Sequence, residues 1–89
     1  MFSLKWSPEA WSEYIDLQQN DKNILKKTNN LLKDIQRNGY NAVHGKIEML
    51  KHDFTGYASV RIDKKNRIIF SVQGDTVFVI QCGGHYRDK

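Results

Sequence analysis

An 89-residue chain has room for one domain with one modest core, because small domains bury only about 60% of the surface their unfolded chains expose. Its 39% hydrophobic and 27% charged residues exclude a disordered or membrane-spanning chain. Fourteen Lys and Arg against ten Asp and Glu, with a pI near 9.3, favour polyanionic partners such as nucleic acid.

Phe2, Leu4 and Trp6 alternate with Ser3 and Lys5, the period-2 pattern of a strand with one buried face. The same stretch is too poor in apolar residues for a secretory or spanning segment, and Cys82, the sole cysteine, can form no intramolecular disulfide, so the expected setting is the cytoplasm. Ser7 and Pro8 suit an N-cap and a first helical position: serine accepts from an orphan amide, and proline has no amide to leave unpaired. Trp11, Tyr14, Ile15 and Gln18 continue at helical spacing. Asn20-Asp21 then interrupts the pattern and caps a second helix, predicting a helical hairpin. Ile24, Leu25, Thr28, Leu31, Leu32 and Ile35 form one stripe of that second helix, with Lys26, Lys33 and Arg37 at other angles. Asn38-Gly39 supplies a left-handed stop, and Tyr40 to Lys46, lacking a period, reads as a surface loop.

From Ala58 the even positions are mostly apolar: Ala58, Val60 and Ile62, then Ile68, Phe70 and Val72, then Phe78, Ile80 and Cys82. Asp63-Lys64-Lys65-Asn66 and Gln73-Gly74-Asp75 are short enough for hairpins, so three antiparallel strands with one core face are expected. The fold class is α+β: one domain over 1–89, with an N-terminal strand, a two-helix hairpin and an antiparallel β-meander packed on the helices. Trp6, Trp11 and Tyr14 are assigned to the core rather than to a base-stacking platform.

The register that keeps the even positions on one face pairs Val60 with Ile68 and sets Arg61 opposite Arg67. Like charges directly opposed across strands cost a few tenths of a kcal/mol to about one. A phosphate lying over both guanidiniums would relieve that cost, since arginine presents planar bidentate donors; the alternative is a pair of solvated side chains on an open sheet face. Glu48, Lys51, His85 and Tyr86 can join this face if the chain ends fold over it. Their types match RNA cleavage without a metal. A base takes the 2′-hydroxyl proton, an acid protonates the leaving oxygen, cations hold the pentacoordinate phosphate, and tyrosine can stack on a base or bond the phosphate. Cys82 and His85, with only His44 and His52 in addition, do not make a convincing four-ligand zinc site. A Gly-rich phosphate loop is also lacking, so neither metal nor cofactor is expected.

Taken together, Trp6-Ser7 with Trp11 and Tyr14, Asp21-Lys22, Leu50-Lys51-His52, Gly56, Arg61-Ile62, Arg67, and Cys82 with His85-Tyr86 resemble the YoeB branch of the RelE toxins. The likeness spans nearly the whole chain, and the C-x-x-H-Y run after an R-x-x-x-x-x-R hairpin is its most specific part. It implies a RelE-like α+β toxin with its active site on the sheet face away from the helices. Glu48 would be the general base, His85 the general acid, Arg67 the principal phosphate ligand, Lys51 and Arg61 supporting cations, and Tyr86 the residue that orients substrate. The implied activity is cutting messenger RNA in the ribosomal A site, leaving a 2′,3′-cyclic phosphate. The implied partners are the ribosome with its messenger and a YefM-type antitoxin, with a homodimer left open. Three departures stand out: Arg87-Asp88-Lys89 follows the His-Tyr pair that usually closes the chain, Gly83-Gly84 replaces bulkier residues before His85, and Val60 stands where a second arginine is frequent.

Two rival functions use the same residues differently. A non-catalytic nucleic-acid-binding module would need the arginines but not the proton-transfer groups, and a sister toxin directed at DNA gyrase would need neither Glu48 nor His85.

Overall fold

A computed structural model describes residues 1–42 and 44–83. Its elements in chain order are β1 (Ser3–Trp6), α1 (Pro8–Asn20), α2 (Lys22–Asn38), β2 (Ile47–Met49), β3 (Ala58–Arg61), β4 (Arg67–Gln73) and β5 (Thr76–Cys82). Single 3₁₀ turns cover Gly39–Asn41 and His52–Phe54.

Local chemistry sets the helix ends where the residue types demand. Ser7 Oγ accepts the Ala10 amide at 3.0 Å, with Pro8 opening α1. Asp21 closes one helix and starts the next: its own amide donates to Leu17 O at 3.1 Å, and its carboxylate accepts from Ile24 N at 3.1 Å. One residue thus turns the chain between α1 and α2. Gly39 ends α2 at φ +59°, where a Cβ would come within 3.0 Å of the Phe2 ring, so both backbone and space call for glycine.

The sheet runs β1-β5-β4-β3-β2. The meander β3-β4-β5 is antiparallel as expected, and Val60 pairs with Ile68, Ala58 with Phe70 and Arg61 with Arg67. Two edges complete it. β1 lies parallel to β5, and β2, which has no period to announce it in three residues, pairs antiparallel with β3. Ala10, Leu31, Leu32 and Ile35 of the helices bury against Ala58, Val60, Ile62, Ile68, Phe70, Val77, Val79 and Cys82. Among the described residues no helix is long and apolar enough to cross a membrane.

Three expectations need correction. First, Phe78 and Ile80 do not join the core face; Val77 and Val79 do, and both are fully buried. The register slips between Ile69, paired with Gln81, and Phe70, paired with Val79, so Ile80 is an extra residue in a β-bulge that reverses the alternation before Cys82. Phe78 lies instead beneath the Lys5 ammonium, 5.6 Å from its ring centre. Second, Trp11 is 49% exposed. α1 buries Ala10 completely, and Trp6 and Tyr14 are partly buried against the core as expected, while Trp11 packs on them from the flank of α1, the ring centres lying 5.1 to 5.9 Å apart. Third, the stretch from Tyr40 is no plain surface loop. The Tyr40 ring stacks on Phe70 at 5.8 Å, and its hydroxyl accepts from Val72 N at 2.8 Å and donates to Gly56 O at 2.7 Å. Gly45 approaches so closely that a Cβ there would fall 2.4 Å from Val60 Cγ2.

Candidate active site

With Ala58, Val60 and Ile62 turned to the helices, the pleat sends Ser59 and Arg61 to the opposite face. Register extends that face across four strands, since Glu48 pairs with Ser59, Ser59 with Ile69 and Ile69 with Gln81, while Arg61 pairs with Arg67 in the next row. A cleft of about 380 Å³ opens over the β2-β3-β4 end of this surface, lined by Lys46, Ile47, Glu48, Arg61 and Arg67. Three cations therefore face one carboxylate.

Arg67 is the most enclosed of the charged groups that line the cleft, with a side chain 25% exposed. Its Nη1 donates to Ser59 Oγ at 2.9 Å and lies 3.8 Å from Glu48 Oε1, whose own side chain is 69% exposed. That carboxylate softens the opposition of Arg61 and Arg67, yet an ion pair this open and this long contributes little stability, about 1 kcal/mol at most. Both partners are consequently cheap to redirect toward a ligand. A phosphodiester in the cleft would meet guanidinium donors, and a nearby hydroxyl would find a carboxylate able to accept its proton.

The placement of β2 depends on a buried acid. The Asp34 side chain, 3% exposed, accepts from Asn38 Nδ2 at 2.7 Å and from the His44 amide at 2.6 Å, and stands 3.1 Å from His44 Nδ1. This clamp ties α2 to the segment that delivers Lys46 and Glu48. At the other end of the site, Gly83, at φ +98°, donates its amide to Arg67 O at 2.8 Å, so the chain leaves β5 beside the Arg67 backbone. Cys82, one residue earlier, is no candidate nucleophile. Burial pushes its thiol up to about 12, helped by the Glu13 carboxylate, which accepts the Cys82 amide at 2.8 Å.

Of the residues expected from sequence, the structure brings Glu48, Arg61 and Arg67 together in one cleft. Lys51 does not line it; it follows β2 and sits exposed at the start of the His52–Phe54 turn. His85 and Tyr86 lie outside the described residues. Sequence reasoning missed Lys46 and Ser59. Lys46 immediately precedes β2, a strand too short to recognise, whereas Ser59 could have been found as the polar residue between Ala58 and Val60 that shares a face with Arg61. Among the described residues no group of three or more His, Cys, Asp or Glu side chains converges as a metal site.

Known proteins share both the sequence and this architecture. Residues 6–86 match the family described as the YoeB-like toxin of bacterial type II toxin-antitoxin systems. Toxin YoeB of Escherichia coli K12 is 40% identical over 83 residues, covering 93% of this chain and 98% of that protein. The Staphylococcus aureus YoeB dimer superposes with a TM-score of 0.84 at 41% identity, covering 96% of this chain and 98% of that one. The heterotetrameric YoeB-YefM toxin-antitoxin complex of the same organism gives 0.85 at 41% identity, over 97% and 99%. The helix-backed sheet and the near-complete family match agree with the resemblance carried by the arginine hairpin and the C-x-x-H-Y run, and the chain belongs to the YoeB-like toxins of bacterial type II toxin-antitoxin systems.

Proposed function

We propose that this toxin is a ribosome-dependent endoribonuclease that cuts messenger RNA in the A site by acid-base catalysis without a metal. The observation that carries this reading is the cleft in which Glu48 and Arg67 stand 3.8 Å apart beside Arg61. In the proposed reaction Glu48 removes the 2′-hydroxyl proton, and the 2′-oxygen attacks the adjacent phosphorus. Arg67, with Arg61, offsets the charge that builds on the pentacoordinate phosphate. His85 protonates the departing 5′-oxygen, leaving a 2′,3′-cyclic phosphate upstream and a free 5′-hydroxyl downstream. Tyr86 orients the substrate and Lys51 adds a supporting cation from the edge of the site.

The same reading makes the toxin a cytoplasmic protein controlled by a YefM-like antitoxin. The Staphylococcus aureus relative is solved with YefM and as a dimer, which supports an antitoxin partner and a self-associating toxin here. An acidic, partly disordered antitoxin segment that folds over the basic cleft would exclude RNA directly.

Primer extension on a defined messenger with programmed ribosomes tests the proposal. Wild-type protein should generate a new 5′ end near the A-site codon, and Arg67→Ala and His85→Ala should each weaken it. Glu48→Gln should lose cleavage while keeping ribosome affinity. Absence of cleavage by folded wild-type protein would overturn the enzyme reading in favour of a non-catalytic binding module or a gyrase-directed toxin. Undiminished cleavage in a complex saturated with antitoxin would overturn the blocking model.

A further inference from the structure

We propose that Ser59 is a positioning residue for this cleavage, holding the Arg67 guanidinium where it meets the phosphate; the inference rests on the reading of Arg67 as a phosphate ligand. Ser59 lies in mid-β3 with cross-strand partners on both sides, Glu48 on β2 and Ile69 on β4. Arg67 precedes Ile69 by two residues on the same face, which makes it the diagonal neighbour of Ser59, a separation that long side chains span. Nη1 closes that diagonal at 2.9 Å, while the Glu48 oxygen remains at 3.8 Å, beyond hydrogen-bond length.

The chemistry of the contact suits a catalytic cation. Ser59 is only 1% exposed, so its hydroxyl is fixed by a packed strand and shielded from competing water. As a neutral acceptor it orients the guanidinium without cancelling its charge, which a carboxylate at the same distance would do. It occupies one of the five N–H donors and leaves the rest for phosphate oxygens. It also opposes a specific disturbance: Arg61 stands directly across from Arg67, and their repulsion drives the unrestrained side chain out of the cleft. A buried hydroxyl between Ala58 and Val60 adds nothing to the apolar core, which lies on the other face, and the Arg67 bond gives it a role.

A double-mutant cycle on messenger cleavage in programmed ribosomes tests this. Ser59→Ala should lower kcat roughly tenfold with KM unchanged, because it removes orientation in the transition state and not ribosome binding. Ser59→Cys keeps the side chain's size but offers only a weak acceptor, and should match the alanine variant; it carries the test if Ser59→Ala does not fold. In an Arg67→Ala background neither substitution should reduce the residual single-turnover rate further, since the group it positions is gone. Wild-type kcat in the folded Ser59 variants, or an equal loss in both Arg67 backgrounds, would overturn the proposal. Wild-type cleavage by Arg67→Ala would instead overturn the assignment of Arg67 on which it rests.

Discussion

The two faces of the central sheet are built from the same strands and do opposite jobs. Toward the helices, β3 and β4 present Ala58, Val60, Ile68 and Phe70, all at most 1% exposed. On the other side, the intervening positions present Ser59, Arg61 and Arg67 beside Glu48 from β2. The period of two keeps the core of the fold on one face and the groups proposed to do chemistry on the other, where Ile69 is the buried apolar residue that sits among them. Stability and activity should therefore be separable by parity along a single strand.

The sharpest way to break that comparison is to mutate neighbours of opposite parity. Phe70→Ala should destabilise the protein by about 3–5 kcal/mol, since it empties a fully buried aromatic site that Tyr40 stacks upon. A lowered urea midpoint at unchanged slope would show it. Arg67→Ala should change the stability by about 1 kcal/mol or less, because relief of the Arg61 repulsion offsets lost contacts, while cleavage falls by about 10²–10³-fold. Comparable stability losses in both variants would mean that the far face is structural as well.

A smaller effect sharpens the role of the edge strand. Asp34→Ala leaves the His44 amide and the Asn38 side chain without their acceptor, a cost of about 1–3 kcal/mol, with faster amide exchange at His44 and along β2 as the local readout. The smallest effect belongs to the β3–β4 turn. Partial burial works to raise the Asp63 carboxyl, but the amides of Lys65 and Asn66, the Asn66 side chain and the Lys27 charge outweigh it and hold the group below its ordinary 3.8. A depressed folded value means that the stabilisation is present above about pH 4 and is lost as pH falls through the folded value. The protection of the Lys65 and Asn66 amides, taken relative to their intrinsic exchange at each pH, should fall on acidification in the wild type, and Asp63→Asn should flatten that dependence.

Much of this protein is legible in its sequence. Local chemistry announced the Ser7 and Asp21 caps and the Gly39 stop, because each depends on a side chain or a φ angle and its immediate neighbours. Alternation announced β3 and β4 and, through their register, the opposed Arg61 and Arg67. Where the pattern misled, a non-local cause is visible. The bulge at Ile80 reverses the phase of β5 within a run that is apolar at odd and even positions alike, so periodicity could not choose Val77 and Val79 over Phe78. The aromatic group of Trp6, Trp11 and Tyr14 has core-like composition, and which of the three stays exposed is set by contacts between β1 and α1 that helical spacing does not contain.

The sequence by itself determined the α+β class, the helical hairpin, the meander and the family, together with two arginines on one face and a carboxylate 19 residues before Arg67. Only the tertiary structure decided that this carboxylate joins them. Ile47–Met49 carries too few residues for a period, and it becomes a strand because β3 offers an open edge and the Asp34 clamp presents the segment to it. Ser59 likewise becomes a partner of Arg67 through a diagonal between strands. Such a contact is set by register and pleat across the sheet, which no reading along one strand contains.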